Sequence, residues 1–419
     1  MIKLPYGHSF LEIDESGANV LQLKQQGLDD THGEDLVKAA MAKPYGGKKL
    51  SELSKTAKNC TLIVSDHTRP VPSRNILPAM LAELRAGNPD IDITLLVATG
   101  CHRGSTREEL VAKMGEEIVN NEKIIIHDSD DTNSNVEIGI LPSGAKLVMN
   151  RVAAETELLI SEGFIEPHFF AGFSGGRKSV LPGICSRVTV FANHNGQFIA
   201  SPYARTGILE NNPIHRDMVA AARMAKLAYI VNVVINDAHK TVAAFAGDPF
   251  AAHEAGCAFL RSLSSVKAIP GDIVVTTNGG APLDQNIYQC VKSMTAAEAS
   301  AKDGGVIILC AECADGNGGD YFEAQLRDCE TPAKLFESFV ATPAEKTAKD
   351  QWESQILARI LMNHPVIFVT RPELRETVEG MKMNYAGTIK EALAKARAIR
   401  GESASLTIIP NGVSVIVEP

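Results

Sequence analysis

Thr61-Leu62-Ile63-Val64-Ser65, a turn marked by Pro70 and Pro72, and the helical run Ile76 to Ala86 lead into Ile91-Asp92-Ile93-Thr94-Leu95-Leu96-Val97-Ala98 and a second helical run, Arg107 to Met114. This stretch sets the architecture. Its strand segments are near-continuous apolar runs, as strands buried on both faces require. Strands alternating with helices imply βαβ units and a parallel sheet. In such sheets the loops at the carboxyl ends of the strands form the ligand crevice. Lys123 to Asp128 extends the pattern.

Further strands are expected at Glu157 to Ile160 and Tyr229 to Ile235. Pro270-Gly271 punctuates Ala268 to Gly271 as a linker. Beyond it, Ile273 to Thr276, Val306 to Leu309 and Val366 to Val369 repeat the alternation. The expectation is an α/β protein of two α/β domains with mainly parallel sheets and an active site in the cleft between them. The first spans residues 1–268 and the second 269–400. Residues 401–419 add the strands Leu406 to Pro410 and Val413 to Val417, which belong to either domain.

The chain has 419 residues, 45% hydrophobic and 22% charged, enough for a core in each domain. Its net charge of −9 argues against a nucleic-acid partner. An anionic substrate must therefore meet Lys and Arg gathered locally. Met1 to Gly7 lacks a signal-peptide pattern, and runs such as Val306 to Ala311 are too short to span a bilayer, so no membrane partner is expected. The eight cysteines are scattered, which fits a cytoplasmic, reducing setting. Nothing in the sequence bears on oligomeric state.

Four polar clusters carry candidate chemistry. Asp66-His67-Thr68-Arg69-Pro70 follows an apolar strand, and its prolines end the ladder. It reads either as a capped turn or as part of a site. His102, in Thr99-Gly100-Cys101-His102-Arg103-Gly104, lies between a strand end and a helix capped by Ser105 or Thr106 with Glu108 or Glu109. Glu166-Pro167-His168-Phe169-Phe170-Ala171-Gly172-Phe173-Ser174-Gly175-Gly176-Arg177-Lys178 is the richest. Gly172, Gly175 and Gly176 suggest a backbone that approaches an anion closely, with Arg177 and Lys178 adding charge. A phosphate loop of the G-x-x-x-x-G-K-[ST] type needs Gly where Arg177 stands, which excludes a nucleoside triphosphatase. A lysine in such an aromatic-flanked loop is suited to desolvation and covalent attachment.

His194, in Asn193-His194-Asn195-Gly196, is a single histidine without the companions a metal site needs, so most ligands of any metal there come from outside the protein. In the fourth cluster Tyr288 and Lys292 share a helix face beside Gln289, either a carboxylate grip or a solvated surface. Trp352, the only tryptophan, is read as core or as a further substrate contact. The C-x-x-C spacing of Cys310 and Cys313 is taken as structural, because no second pair accompanies it.

Taken in order, these segments resemble the nickel-pincer lactate racemase family over essentially the whole chain. The resemblance implies a nickel cofactor, a pyridinium-3,5-bisthiocarboxylic acid mononucleotide, made by dedicated cofactor-synthesis enzymes. It implies that Lys178 forms the covalent link to it and that His194 is the protein's ligand to nickel. Asp66, Arg69 and the glycines Gly172, Gly175 and Gly176 fall near its ribose and phosphate. His102 and His168 become the acid–base pair of a reaction in which the Cα hydrogen of a 2-hydroxy acid leaves as hydride and returns to the opposite face. Lys292 and Tyr288, with Gln289 nearby, would hold the substrate carboxylate. The implied activity is that of an isomerase, a racemase or 2-epimerase.

One departure bears on specificity. Where His67 stands, lactate racemases proper carry an arginine that helps hold the substrate. Histidine is shorter and cannot form a bidentate fork with a carboxylate. The substrate is then expected to be a 2-hydroxy acid that need not be lactate, including bulkier or more polar ones. Two rivals are a nicotinamide-dependent oxidoreductase, against which the missing strand–G-x-G-x-x-G–helix unit counts, and a ligand-binding protein that keeps the fold without the chemistry.

Overall fold

The computed structural model of the chain describes residues 1–14, 16–23, 33–236 and 239–419. The chain opens with β1 (Ile2–Tyr6), β2 (Ser9–Ile13) and β3 (Asn19–Val20). The next strands are β4 (Asn59–Ser65), β5 (Asp92–Ala98), β6 (Lys123–Ile126), the hairpin β7 (Asn135–Ile140) and β8 (Lys146–Asn150), and β9 (Leu158–Phe164). A two-residue ribbon, β10 (Pro167–His168) with β11 (Gly172–Phe173), precedes β12 (Leu227–Ile235), β13 (Thr241–Gly247) and β14 (Ser265–Lys267). The last group is β15 (Gly271–Thr277), β16 (Ala301–Cys310), β17 (Val366–Val369), β18 (Asn384–Ala386), β19 (Leu406–Ile409) and β20 (Ile416–Glu418).

These strands build two six-stranded sheets. The first has the order β13-β12-β9-β4-β5-β6, parallel except for the edge strand β13. The second, β18-β17-β16-β15-β19-β3, is parallel throughout. The apolar runs explain why: Leu62, Ile63 and Val64 of β4 and Leu95, Leu96 and Val97 of β5 are buried, so both faces of the sheet are covered. The helix Ser73–Gly87 covers one face with Ile76, Leu77, Met80 and Leu84.

The opening residues, counted with the first domain in the sequence reading, lie on the second sheet. β3 pairs with β19, and Leu4 and Ile13 join the core of Ile273, Val275 and Ile308. β1 and β2 read as a short hairpin whose apolar residues have no partner nearby in sequence, so only the fold reveals what they cover. Of the chain's end, β19 sits beside β15, and β20 pairs with β14. Among the described residues no helix is long and apolar enough to cross a membrane.

Candidate active site

Three neighbouring strands of the first sheet deliver the first half of the site from their carboxyl ends. β4 ends at Asp66, β5 runs into the loop of His102, and β9 leads to Glu166 and His168. Asp66 is buried. It accepts from the Thr68 hydroxyl at 2.7 Å and faces His102 Nδ1 at 2.8 Å. Burial raises the proton affinity of the Asp66 carboxyl, but His102, Thr68 and Arg69 outweigh it and hold the group below the ordinary carboxylate range. With Nδ1–H donated to a carboxylate, His102 presents Nε2 as a base. Asp66 thus spends its oxygens on Thr68 and His102.

His67 turns elsewhere. Its Nδ1 lies 2.9 Å from Ser105 Oγ and 3.6 Å from Glu109, the glutamate that also closes the capping box of the helix Arg107–Met114. Its ring is tied to that helix start. Arg69 is exposed, yet its charge reaches His168, Lys178 and Lys292. Below the loop, Lys113 Nζ donates to Arg69 O at 2.8 Å, and Glu162, fully buried, accepts from Ser65 N at 2.7 Å and Ser73 Oγ at 3.2 Å.

The glycine-rich loop is built differently from the anion cradle its sequence suggests. Gly175 and Gly176 both have positive φ. A Cβ on Gly175 would meet Asn232 Oδ1 at 2.7 Å and Phe164 O at 2.9 Å, and one on Gly176 would strike the His253 ring at 2.8 Å. The Gly176 N–H is already taken by Asn232 Oδ1 at 2.7 Å. The glycines Gly172, Gly175 and Gly176 therefore serve close backbone packing. Arg177, expected to lend charge to a ligand, is instead sealed beneath the loop, 2% exposed. Its guanidinium donates to Phe173 O at 2.6 Å, Ala171 O at 2.7 Å and His215 Nδ1 at 3.0 Å, with His253 Nε2 at 3.1 Å.

That clamp presents the next residue, Lys178, upward. Its Nζ stands 5.8 Å from the centroid of Phe170. Burial first, then the charges of Arg177, Arg69 and Lys292, push its proton affinity well below that of an ordinary lysine. An amine so placed loses its proton, and becomes nucleophilic, more readily than an exposed lysine. His168 packs against Phe169 and Phe170, with centroids at 5.2 and 4.5 Å. Burial and the same cations, led by Lys178, hold it well below the usual histidine range. His194, at the end of the helix Arg187–Asn193, approaches Val190 O through Nδ1 at 3.0 Å, leaving the lone pair of Nε2 free. Burial and Lys178 drive it down to about 3, so the ring is neutral with an unprotonated nitrogen.

The second sheet supplies the opposite wall. The helix Ile287–Glu298 carries Tyr288, Gln289 and Lys292, and the helix Gln351–Asn363 carries Trp352. Trp352 Nε1 donates to Tyr288 Oη at 3.1 Å, and the indole meets the His194 ring edge-on at 5.2 Å. Gln355 Nε2 donates to Gly196 O at 2.7 Å, a second tie between the two halves. Gln289, half-buried beside Tyr288, caps nothing with its side chain; its backbone N–H goes to Asn286 Oδ1. Lys292 is desolvated, which lowers its proton affinity, while Glu166 and Glu353 oppose that fall. Cys310 and Cys313 are both buried, and the thiol neighbour of Cys313 is Cys290 at 3.9 Å.

Sequence reasoning missed Glu353, Asp350, His215 and His253. Glu353 follows Trp352 directly, among the polar Gln351, Ser354 and Gln355, and nothing in its sequence setting marks it as buried. Among the described residues no three His, Cys, Asp or Glu side chains converge as a metal site. A metal bound at His194 must take most of its donors from a bound group.

The first sheet and the loops that follow it thus present two histidines, a desolvated lysine and a neutral buried histidine, groups suited to acid–base and nucleophilic chemistry. Residues 6–207 match the lactate racemase N-terminal domain, and residues 266–417 match the lactate racemase C-terminal domain. The chain is 51% identical over 420 residues to the lactate racemase of Thermoanaerobacterium thermosaccharolyticum, covering 99% of each. It is 55% identical over 385 residues to that of Lactiplantibacillus plantarum, covering 92% of this chain and 91% of that one. The solved lactate racemase apoprotein from T. thermosaccharolyticum superposes with a TM-score of 0.97 at 50% identity over the whole of both chains. A Thermotoga maritima structure at 18% identity, covering 92% of this chain and 98% of its own, shares the fold with a TM-score of 0.65. The chain belongs to the lactate racemase family, and it is a racemase.

Proposed function

We propose that the enzyme inverts the carbinol carbon of a 2-hydroxy acid by proton-coupled hydride transfer, with a nickel-pincer nucleotide held at Lys178 and His194. What supports this is a desolvated Lys178 whose charge acts on both His168 and His194, a His194 whose Nε2 is free, and a His102 held by Asp66 at the strand ends of the same sheet. Lys178 suits an acyl-type link because its amine is unprotonated far more readily than an exposed lysine. His194 suits a metal that is otherwise ligated by the cofactor. When bound, this group supplies a hydride acceptor and donor for the substrate Cα.

The chain's own residues do the rest. Lys292, with Tyr288 and Gln289, holds the substrate carboxylate, and Arg69 adds positive charge at the mouth. Asp66 keeps His102 in the tautomer that accepts the hydroxyl proton at Nε2. His168, on the other side, returns a proton to the alkoxide of opposite hand. Phe169, Phe170 and Trp352 exclude water around the reacting carbon.

Lactate is the substrate for which the relatives are named and the first to test. Because His67 is tied to Ser105 and Glu109, a longer or more polar 2-hydroxy acid meets no fork there. The test is racemisation of a panel of 2-hydroxy acids, lactate included, by protein produced together with the cofactor-synthesis enzymes. Turnover of none of them would refute the proposal, and lactate turned over far faster than every larger acid would refute the wider specificity.

A further inference from the structure

We infer that Glu353 is a buried, proton-carrying positioning residue that governs Lys292, which grips an anionic substrate only while Glu353 keeps its proton. The substrate half of this statement rests on the reading in which Lys292 holds the substrate carboxylate. Glu353 lies on the helix Gln351–Asn363, 1% exposed, with no hydrogen-bond partner for Oε1 among the described residues. The Trp352–Tyr288 bond docks that helix on the helix Ile287–Glu298 one residue before Glu353 and one turn before Lys292. A carboxylate whose buried oxygen has no donor is unfavourable in such a place, and a neutral carboxyl costs far less.

The charged surroundings are few. Among the described residues, Lys292 is the cation acting on Glu353 and Asp350 the further anion. Tyr288, between them, is kept a neutral phenol by burial and by the nearby Glu353 and Asp350. The packed helix Gly196–Ala200 carries no titratable side chain. On the helices Asp320–Asp328 and Pro332–Ala341 the cations Arg327 and Lys334 are spent on Glu323 and Glu330, and Arg359 is spent on Glu298 at 2.7 Å. Lys292 in turn faces Glu166 and Arg69. Burial and Asp350 raise Glu353 against the pull of Lys292, to about 8.

Near neutral pH Glu353 therefore adds no negative charge beside Lys292, and beyond Glu166 leaves it to a substrate carboxylate. Once Glu353 loses its proton, it neutralises Lys292 and competes with the substrate. A bound carboxylate raises Glu353 further, so binding near that pH takes up a proton.

Trp352, the only tryptophan, sits next to Glu353 and reports on it. The cofactor-free full-length protein is titrated from about pH 6 to about pH 10 with Trp352 fluorescence as readout. The wild type is expected to show a transition near pH 8 that Glu353→Gln abolishes and that Lys292→Met moves upward by about one unit or more. A transition that survives in Glu353→Gln, its absence from the wild type, or no movement in Lys292→Met would each overturn the inference. In cofactor-loaded enzyme, KM for L-lactate should climb about tenfold per pH unit above the transition, and Glu353→Gln should flatten that climb. A KM that does not depend on pH overturns the substrate half while leaving the racemase reading intact. Failure to turn over any 2-hydroxy acid, with the fluorescence behaviour as expected, refutes that reading and the substrate half, while the Glu353–Lys292 coupling stands.

Discussion

Replacing Arg177 by lysine keeps a positive charge but removes the planar fork, and the structure sets the cost. The guanidinium reaches Phe173 O, Ala171 O and His215 Nδ1 at 2.6, 2.7 and 3.0 Å in three directions from beneath the glycine-rich loop. An ammonium at the end of a lysine side chain satisfies the acceptors around one point, so at least one of Ala171 O and His215 Nδ1 loses its donor. A buried acceptor left unpaired costs about 1–3 kcal/mol, and charge-assisted bonds lie at the upper end. A loss of about 3 kcal/mol follows, which for a domain of this size lowers the melting temperature by roughly 6–12 °C. The assay is thermal unfolding of the cofactor-free protein, followed by amide exchange in residues 171–179, where protection should fall first. A drop below about 1 °C with unchanged exchange would refute the idea that the guanidinium holds the Lys178 loop.

Asp66→Asn should cut racemisation by about a hundredfold or more, because an amide facing His102 Nδ1 no longer fixes the basic tautomer; imidazole nitrogen NMR showing the His102 tautomer unchanged would count against that cause. Lys178→Ala should lose the cofactor altogether, read as nickel content and intact mass. His102→Ala and His168→Ala should retain nickel and lose turnover, and full activity of Lys178→Ala would end the tether assignment. A substrate labelled with deuterium at Cα should keep most of its label after racemisation, whereas wash-out into water would favour proton abstraction over hydride return.

The strands were legible because parallel sheets buried on both faces leave continuous apolar runs, as in Leu62 to Val64 and Leu95 to Val97. The same rule located His102 and His168, since their loops follow β5 and β9. What stayed hidden depends on contacts distant in the chain. Gly175 and Gly176 carry the signature of an anion loop, yet Asn232 and His253 occupy the space that signature reserves for a ligand. Arg177 reads as surface charge, and only the burial of His215 and His253 beneath the loop shows it as a clamp. His67 lies next to Asp66 in sequence, but its ring is held by Ser105 and Glu109, which lie far along the chain.

The two histidines of the proposed acid–base pair occupy unlike surroundings, although the reaction is symmetric. Racemisation has an equilibrium constant of one, so the two directions must share one kcat/KM at every pH, whatever the bases. His102 has a carboxylate behind it, which keeps the proton of its neutral ring on Nδ1. His168 has aromatic rings and four cations around it, which disfavour its protonated form, and the Ala171 N–H points to its Nδ1 at 3.3 Å, placing the proton of the neutral ring on Nε2. In the free enzyme one ring offers a lone pair and the other an N–H. A substrate carboxylate at Lys292 cancels one of the cations that depress His168 and so eases that depression once the substrate is bound. The asymmetry must therefore divide between binding and turnover: one enantiomer meets a ready base, while the other meets a base that its own carboxylate has first to prepare.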